Sequence, residues 1–343
     1  MRQLSRPDGL AALRWLLPAG LLLLLALPVE AAGAVAVDPE LAPGQKLVAK
    51  RQWDKAESWF YDFVKAHPDH AGALRQLGLV ELRRPGGDVV RARQYLERAT
   101  TVEPDDPIGL FLLAKAYEVS GAASREKAKQ TYQRLIDMGP GKDDPPRAAA
   151  VHLARFNRAL VAEEEGDLET AKALLTQVIG REPQHAYATY EMGLIAIAEE
   201  DPAAAREWLE KAIRNVGLWA PTEGWPYPQG RYGYVRENAA FELGRLLIEA
   251  GEMDRAREIL EPISKMVEIR AKAKKGHTKP PPKAPLEGVP DLRFENTPFY
   301  YAETLLAAGR KKEAVTLLKN FSRMRIGDKD LRAKARSRAK ALR

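Results

Sequence analysis

Cysteine is absent from the 343 residues. That excludes disulfide staples, thiolate metal sites, a cysteine nucleophile and lipid attachment at an N-terminal cysteine. Aromatic residues are few, at 7%. Histidine is scarce as well: His67, His70, His152, His185 and His277. The run His67-Pro68-Asp69-His70 lies in a turn and lacks a fourth ligand, so no metal is expected there. His277 falls in a basic linker, and His152 and His185 read as surface residues beside Pro183. Neither H-E-x-x-H nor G-x-S-x-G occurs, and there is no phosphate loop or dinucleotide fingerprint. No catalytic, cofactor-binding or metal residue is therefore assigned, and the chain reads as a non-enzyme. What remains is a folded composition, 45% hydrophobic and 29% charged.

Charge is unevenly placed. Residues 263–343 hold 21 Lys and Arg against 8 Asp and Glu, while the preceding body is mildly acidic. At the other end, Arg2, Arg6 and Arg14 precede the apolar run Trp15 to Val29, and Ala32-Gly33-Ala34 offers a small-residue cut. This reads as a signal peptide over residues 1–34. The run is shorter than the ~20 residues that span a bilayer, so cleavage is favoured over an inner-membrane anchor. Either outcome predicts an exported protein, with the periplasm the leading location.

Seven alanines carry the organisation: Ala56, Ala92, Ala128, Ala171, Ala205, Ala256 and Ala314. Four residues after each stands a bulky side chain: Phe60, Leu96, Tyr132, Leu175, Leu209, Leu260 and Leu318. A unit near 34 residues with insertions fits their spacing, which is a repeat signature. In the clearest unit, Phe156-Asn157-Arg158-Ala159-Leu160 leads through Gly166 and Ala171 to Pro183. The others follow with Gly78, Gly193 and Gly244 early in the unit, Gly251 and Gly309 at the turn, and Pro68, Pro104 and Pro140 at the close. The pattern resembles the tetratricopeptide repeat, with a small residue at position 8, Gly at 15, Ala at 20, a bulky residue at 24 and Pro at 32. The resemblance implies an all-α, right-handed α-solenoid of about seven helix-turn-helix units, preceded by the signal peptide.

Insertions divide the array. Units one to five occupy 37–217, an aromatic Gly/Pro insertion 218–235, unit six 236–268, a basic Pro-rich linker 269–294, and unit seven 295–327. Residues 328–343 form a basic C-terminal helix or tail, with too few apolar residues for a strong packing face.

Position 5 of the first helix faces the concave groove in the family that the pattern resembles. Here it holds Phe111, Phe156, Tyr190, Phe241 and Phe299. Read singly, such rings are more often core; together they suggest a groove for a protein or peptide partner. The insertion carries Trp219, Trp225, Tyr227, Tyr232 and Tyr234, which either bury themselves or bind a glycan. The basic end could meet an anionic surface or polymer; no nucleic acid is expected. These features predict a non-catalytic scaffold or adaptor in the cell envelope, serving assembly, secretion or export. The alternatives are a glycan- or cell-wall-binding module and a substrate-recruiting subunit of an enzyme complex.

Overall fold

The computed structural model describes residues 38–218, 234–273 and 293–342. Among the described residues every regular element is helical, and they divide into two units, the first ending at Pro183. The first unit runs α1 (Ala42–Ala49), α2 (Trp53–Ala66), α3 (Ala71–Arg83), α4 (Val89–Val102), α5 (Pro107–Val119), α6 (Arg125–Asp137), α7 (Pro145–Glu165) and α8 (Leu168–Arg181). The second runs α9 (Ala186–Ala198), α10 (Pro202–Leu218), α11 (Val235–Glu249), α12 (Met253–Ala273), α13 (Thr297–Ala307), α14 (Lys311–Phe321) and α15 (Lys329–Ala341). Within each unit the helices pair as hairpins, and each hairpin packs on the next.

Local chemistry fixes the starts. Asp88 accepts from the Val90 and Arg91 N–H groups at 2.8 and 3.2 Å and caps α4. Asp106 accepts from Ile108 N–H at 3.0 Å, with Pro107 in the first turn where its missing N–H costs nothing. Asp144 before Pro145, Asp167, Asp201 and Asp328 do the same for α7, α8, α10 and α15. The ends are fixed by conformation. Gly166, five residues before Ala171, closes α7 in the left-handed region at φ 79°, where a Cβ is disfavoured. The same register elsewhere holds Arg51 at φ 54° and Glu200 at φ 58°.

The repeated alanines and their bulky partners form the spine of the core. All fourteen side chains, from Ala56 and Phe60 to Ala314 and Leu318, are 0% exposed. Early in the unit, Gly193 faces Leu209 and Gly244 faces Leu260 across the hairpin. Small on one helix and large on the other lets the two backbones close up without a void.

Three boundaries move from the sequence expectation. Helix α10 continues through Leu218, α11 begins at Val235, and α12 runs on to Ala273 through an internal Pro262. The basic tail is a formed helix. Leu331, Ala335, Ala339 and Leu342 of the α15 segment turn inward onto the last hairpin, a stripe with two alanines at its centre. Arg338 reaches Glu303 of α13 at 3.0 and 3.1 Å, and Arg332 donates to the Met324 carbonyl.

Candidate functional site

The five rings expected to line a groove do not share one fate. Phe111 on α5 and Phe156 on α7 are buried, as are Tyr190 on α9 and Phe241 on α11. Phe111 lies 6.2 Å from the Tyr132 ring of its own hairpin. For these four the groove expectation is corrected: their apolar area is already removed from water in the folded chain, which stabilises it by roughly 25 cal/mol per Å². Phe299 on α13 differs, for it is only half-buried.

Phe299 belongs to a cluster on the first helices of the second unit. Its ring meets Tyr300 edge-on at 5.4 Å, and Tyr300 in turn meets Phe241 at 5.4 Å. The Arg245 guanidinium sits 6.0 Å from the Phe241 ring and 5.7 Å from that of Tyr300, within cation–π range. Glu242, buried beneath, holds Arg245 at 2.8 Å and Arg293 at 3.1 Å. Burial raises the Tyr300 hydroxyl above its usual range, with Arg245 working against that shift, so the phenol stays a neutral donor near pH 7. Half-buried rings beside a cation held by a buried carboxylate suit an apolar side chain next to a carboxylate.

The first unit contains a polar network that sequence reading missed. Lys115 on α5 is 0% exposed, yet its Nζ donates to Glu118 Oε1 at 2.8 Å and to Asn157 Oδ1 at 3.2 Å. Tyr132 donates to Glu118 Oε2 at 2.6 Å. Burial and the adjacent Glu118 charge hold the Tyr132 hydroxyl well above its usual range. Nearby, Tyr117 donates to Glu97 at 2.9 Å, and burial with that bond pushes it up to about 12. These bonds tie α5, α6 and α7 in register, since an unpaired group there would carry a desolvation cost. The signal was a lone lysine inside the apolar stretch Leu110 to Tyr117.

His70, His152 and His185 act as structural parts, and the last two are buried where surface positions were expected. His185 accepts the Ala188 N–H at Nδ1 and caps α9. His152 is buried with Nε2 3.2 Å from Glu182. His70 accepts the Ala73 N–H at Nδ1, 3.2 Å, so its proton sits on Nε2, 2.9 Å from Asp38. Asp38, Glu40 and His70 bring ligand atoms within 4.8 Å of one another, but that tautomer points a donor rather than a lone pair at the carboxylates.

Of the insertion aromatics, Trp219, Trp225, Tyr227 and Tyr232 lie outside the described residues. Tyr234 is buried, its ring centroid 5.0 Å from that of Phe294. The N-terminal apolar run and most of the basic linker also lie outside the described residues. Among the described residues no helix is long and apolar enough to cross a membrane.

Residues 41–107 and 156–217 match one tetratricopeptide repeat family, and residues 238–262 match another. The chain is similar to cellulose synthase 2 operon protein C of Komagataeibacter xylinus, 27% identical over 180 residues, covering 50% of this chain and 13% of that one. It is also similar to the human protein O-mannosyl-transferase TMTC3, 20% identical over 201 residues, covering 51% of this chain and 20% of that one. Only a small part of either relative is thus spanned. Among solved structures, PilW, described as a widely conserved type IV pilus biogenesis factor, superposes with a TM-score of 0.50 at 14% identity. That likeness covers 71% of this chain and 94% of PilW, and it concerns the fold alone.

Proposed function

We propose that this chain, whose residues 41–107, 156–217 and 238–262 match tetratricopeptide repeat families, is a non-catalytic scaffold that binds a protein segment along the first helices of its second unit. The observation that carries this reading is the half-buried Phe299 and Tyr300 pair beside Arg245. An extended peptide with an apolar side chain next to a carboxylate would place the first on the rings and the second on the guanidinium. Elsewhere, Lys115, Glu118, His70 and Asp106 are committed to bonds within and between helices, which leaves them structural work rather than chemistry.

The setting we propose is the cell envelope, with export directed by residues 1–34. The arginine-flanked apolar run supports it, as does the likeness to an operon protein of cellulose synthesis. Selection from a displayed peptide library tests the binding reading. The selected sequences should carry an apolar–acidic pair and bind at least tenfold more weakly to Phe299→Ala/Tyr300→Ala. Selected peptides that bind the double variant equally well would refute the assignment to this face.

A further inference from the structure

Helix α15 has two opposite faces. Inward lie Leu331, Ala335, Ala339 and Leu342. Outward, by the roughly 100° turn per residue of an α-helix, Ala333, Ser337 and Ala341 form a stripe of small residues. Lys329, Arg336 and Lys340 border that stripe on one side and Lys334 on the other, and all four are exposed. Among the described residues none of these four pairs with a carboxylate, whereas Arg338 on the flank is taken by Glu303. Asp330 is the acid on this outward side, in the first turn. From Lys329 to Lys340 the row extends about 16 Å.

A helix that merely caps a repeat array needs a polar outer face, and mixed charge serves solubility well. This face is nearly all of one sign and has a low ridge of small residues between its cations. It carries no aromatic side chain to stack on a base or a sugar, and no large apolar residue to insert into a groove or a membrane. We infer that the outer face of α15 docks this protein on a surface of anionic lipid headgroups, superficially and by charge alone. The docking surface is separate from the Phe299 and Tyr300 cluster, so it stands or falls independently of the peptide reading.

The test uses the full chain and reads the difference in affinity between vesicles containing phosphatidylglycerol and vesicles of phosphatidylcholine alone. That difference removes any contribution from the N-terminal apolar run. Each cation near an anionic surface is worth roughly fivefold in affinity. Lys329→Gln/Lys334→Gln/Arg336→Gln/Lys340→Gln should therefore lower the difference on the order of a hundredfold or more, with helicity unchanged. Raising the salt severalfold should weaken wild-type binding steeply. A control, Lys46→Gln/Lys50→Gln/Lys55→Gln/Lys65→Gln, removes the same charge from exposed sites of the first unit and should keep most of the binding. Equal loss in both variants would reduce the effect to net charge and overturn the inference. So would an unchanged α15 variant. Binding to polyphosphate or duplex DNA tighter than to the vesicles would make the face a polymer site and overturn it as well.

Discussion

A methyl group added to Gly193 would stand 2.8 Å from Leu209 Cδ2, inside the distance that carbon atoms tolerate. Leu209 has no exposed surface into which it could retreat. Gly193→Ala should therefore destabilise the second unit by about 1–3 kcal/mol through overpacking, although Ala favours an exposed helix by about 1 kcal/mol over Gly. Leu209→Ala alone should cost about 2–5 kcal/mol. In that background the added methyl enters the cavity, so Gly193→Ala should become neutral or stabilising. A double-mutant cycle by urea denaturation checks the sign change, and additive losses would show that the two residues do not touch in solution.

The pairing of small with large is why the hairpins could be read in advance. Ala205 and Leu209 on α10, and Ala256 and Leu260 on α12, mark the helix face that meets Gly193 and Gly244 of the same hairpin, and spacing alone reveals it. What position 5 does was not legible, because the fate of Phe156 or Phe299 depends on neighbours supplied by other hairpins. The docking of α15 was hidden for a different reason. Its inward stripe relies on Ala335 and Ala339, which bury little area each and add little to an apolar pattern. Lys115 escaped notice because its partners, Glu118 and Asn157, come from two different helices.

Burial of Phe111 turns a binding expectation into a stability one. Phe111→Ala should destabilise the first unit by about 3–5 kcal/mol, seen as an earlier loss of helical circular dichroism on heating. Phe299→Ala, at a half-buried site, should cost much less. Similar losses at the two positions would contradict their different exposure.

Arg51 and Glu200 occupy left-handed turn positions where the matching residue in other hairpins is Gly166. An L side chain there costs roughly 1–2 kcal/mol, part of which glycine returns through the greater freedom of its unfolded chain. Glu200→Gly should thus stabilise by about 0.5 kcal/mol, and Gly166→Ala should destabilise by about 1 kcal/mol. The two shifts in denaturation midpoint should have opposite signs.

Helix caps should make the protein sensitive to acid. The bonds from the Thr170 side chain and its N–H hold Asp167 below the usual carboxylate range, and the Arg91 N–H does the same for Asp88. A carboxyl depressed on folding contributes stability above its unfolded value, near 3.9, and loses it as pH falls through the folded value. Asn caps a helix about as well as Asp but does not titrate. Asp88→Asn/Asp167→Asn should match the wild type near pH 7 and show a shallower loss of stability below about pH 4. An identical acid limb in the two proteins would remove the caps from the account.

Pro262 interrupts the hydrogen-bond ladder of α12, yet the helix runs on to Ala273. The ring is exposed, so no packing depends on it. Proline in a helix interior costs about 3 kcal/mol or more where nothing compensates, and Ala would restore the missing N–H donor. Proline also narrows the unfolded ensemble, which returns up to about 1 kcal/mol. Pro262→Ala should therefore stabilise the second unit by about 1–2 kcal/mol, and amide exchange should slow across 259–266. The following turn carries the buried Ser264 and Val267, and it is the turn that a kink at Pro262 would aim. If Pro262→Ala instead lowers the unfolding midpoint, the proline sets the direction of α12, and the packing of Val267 depends on that bend.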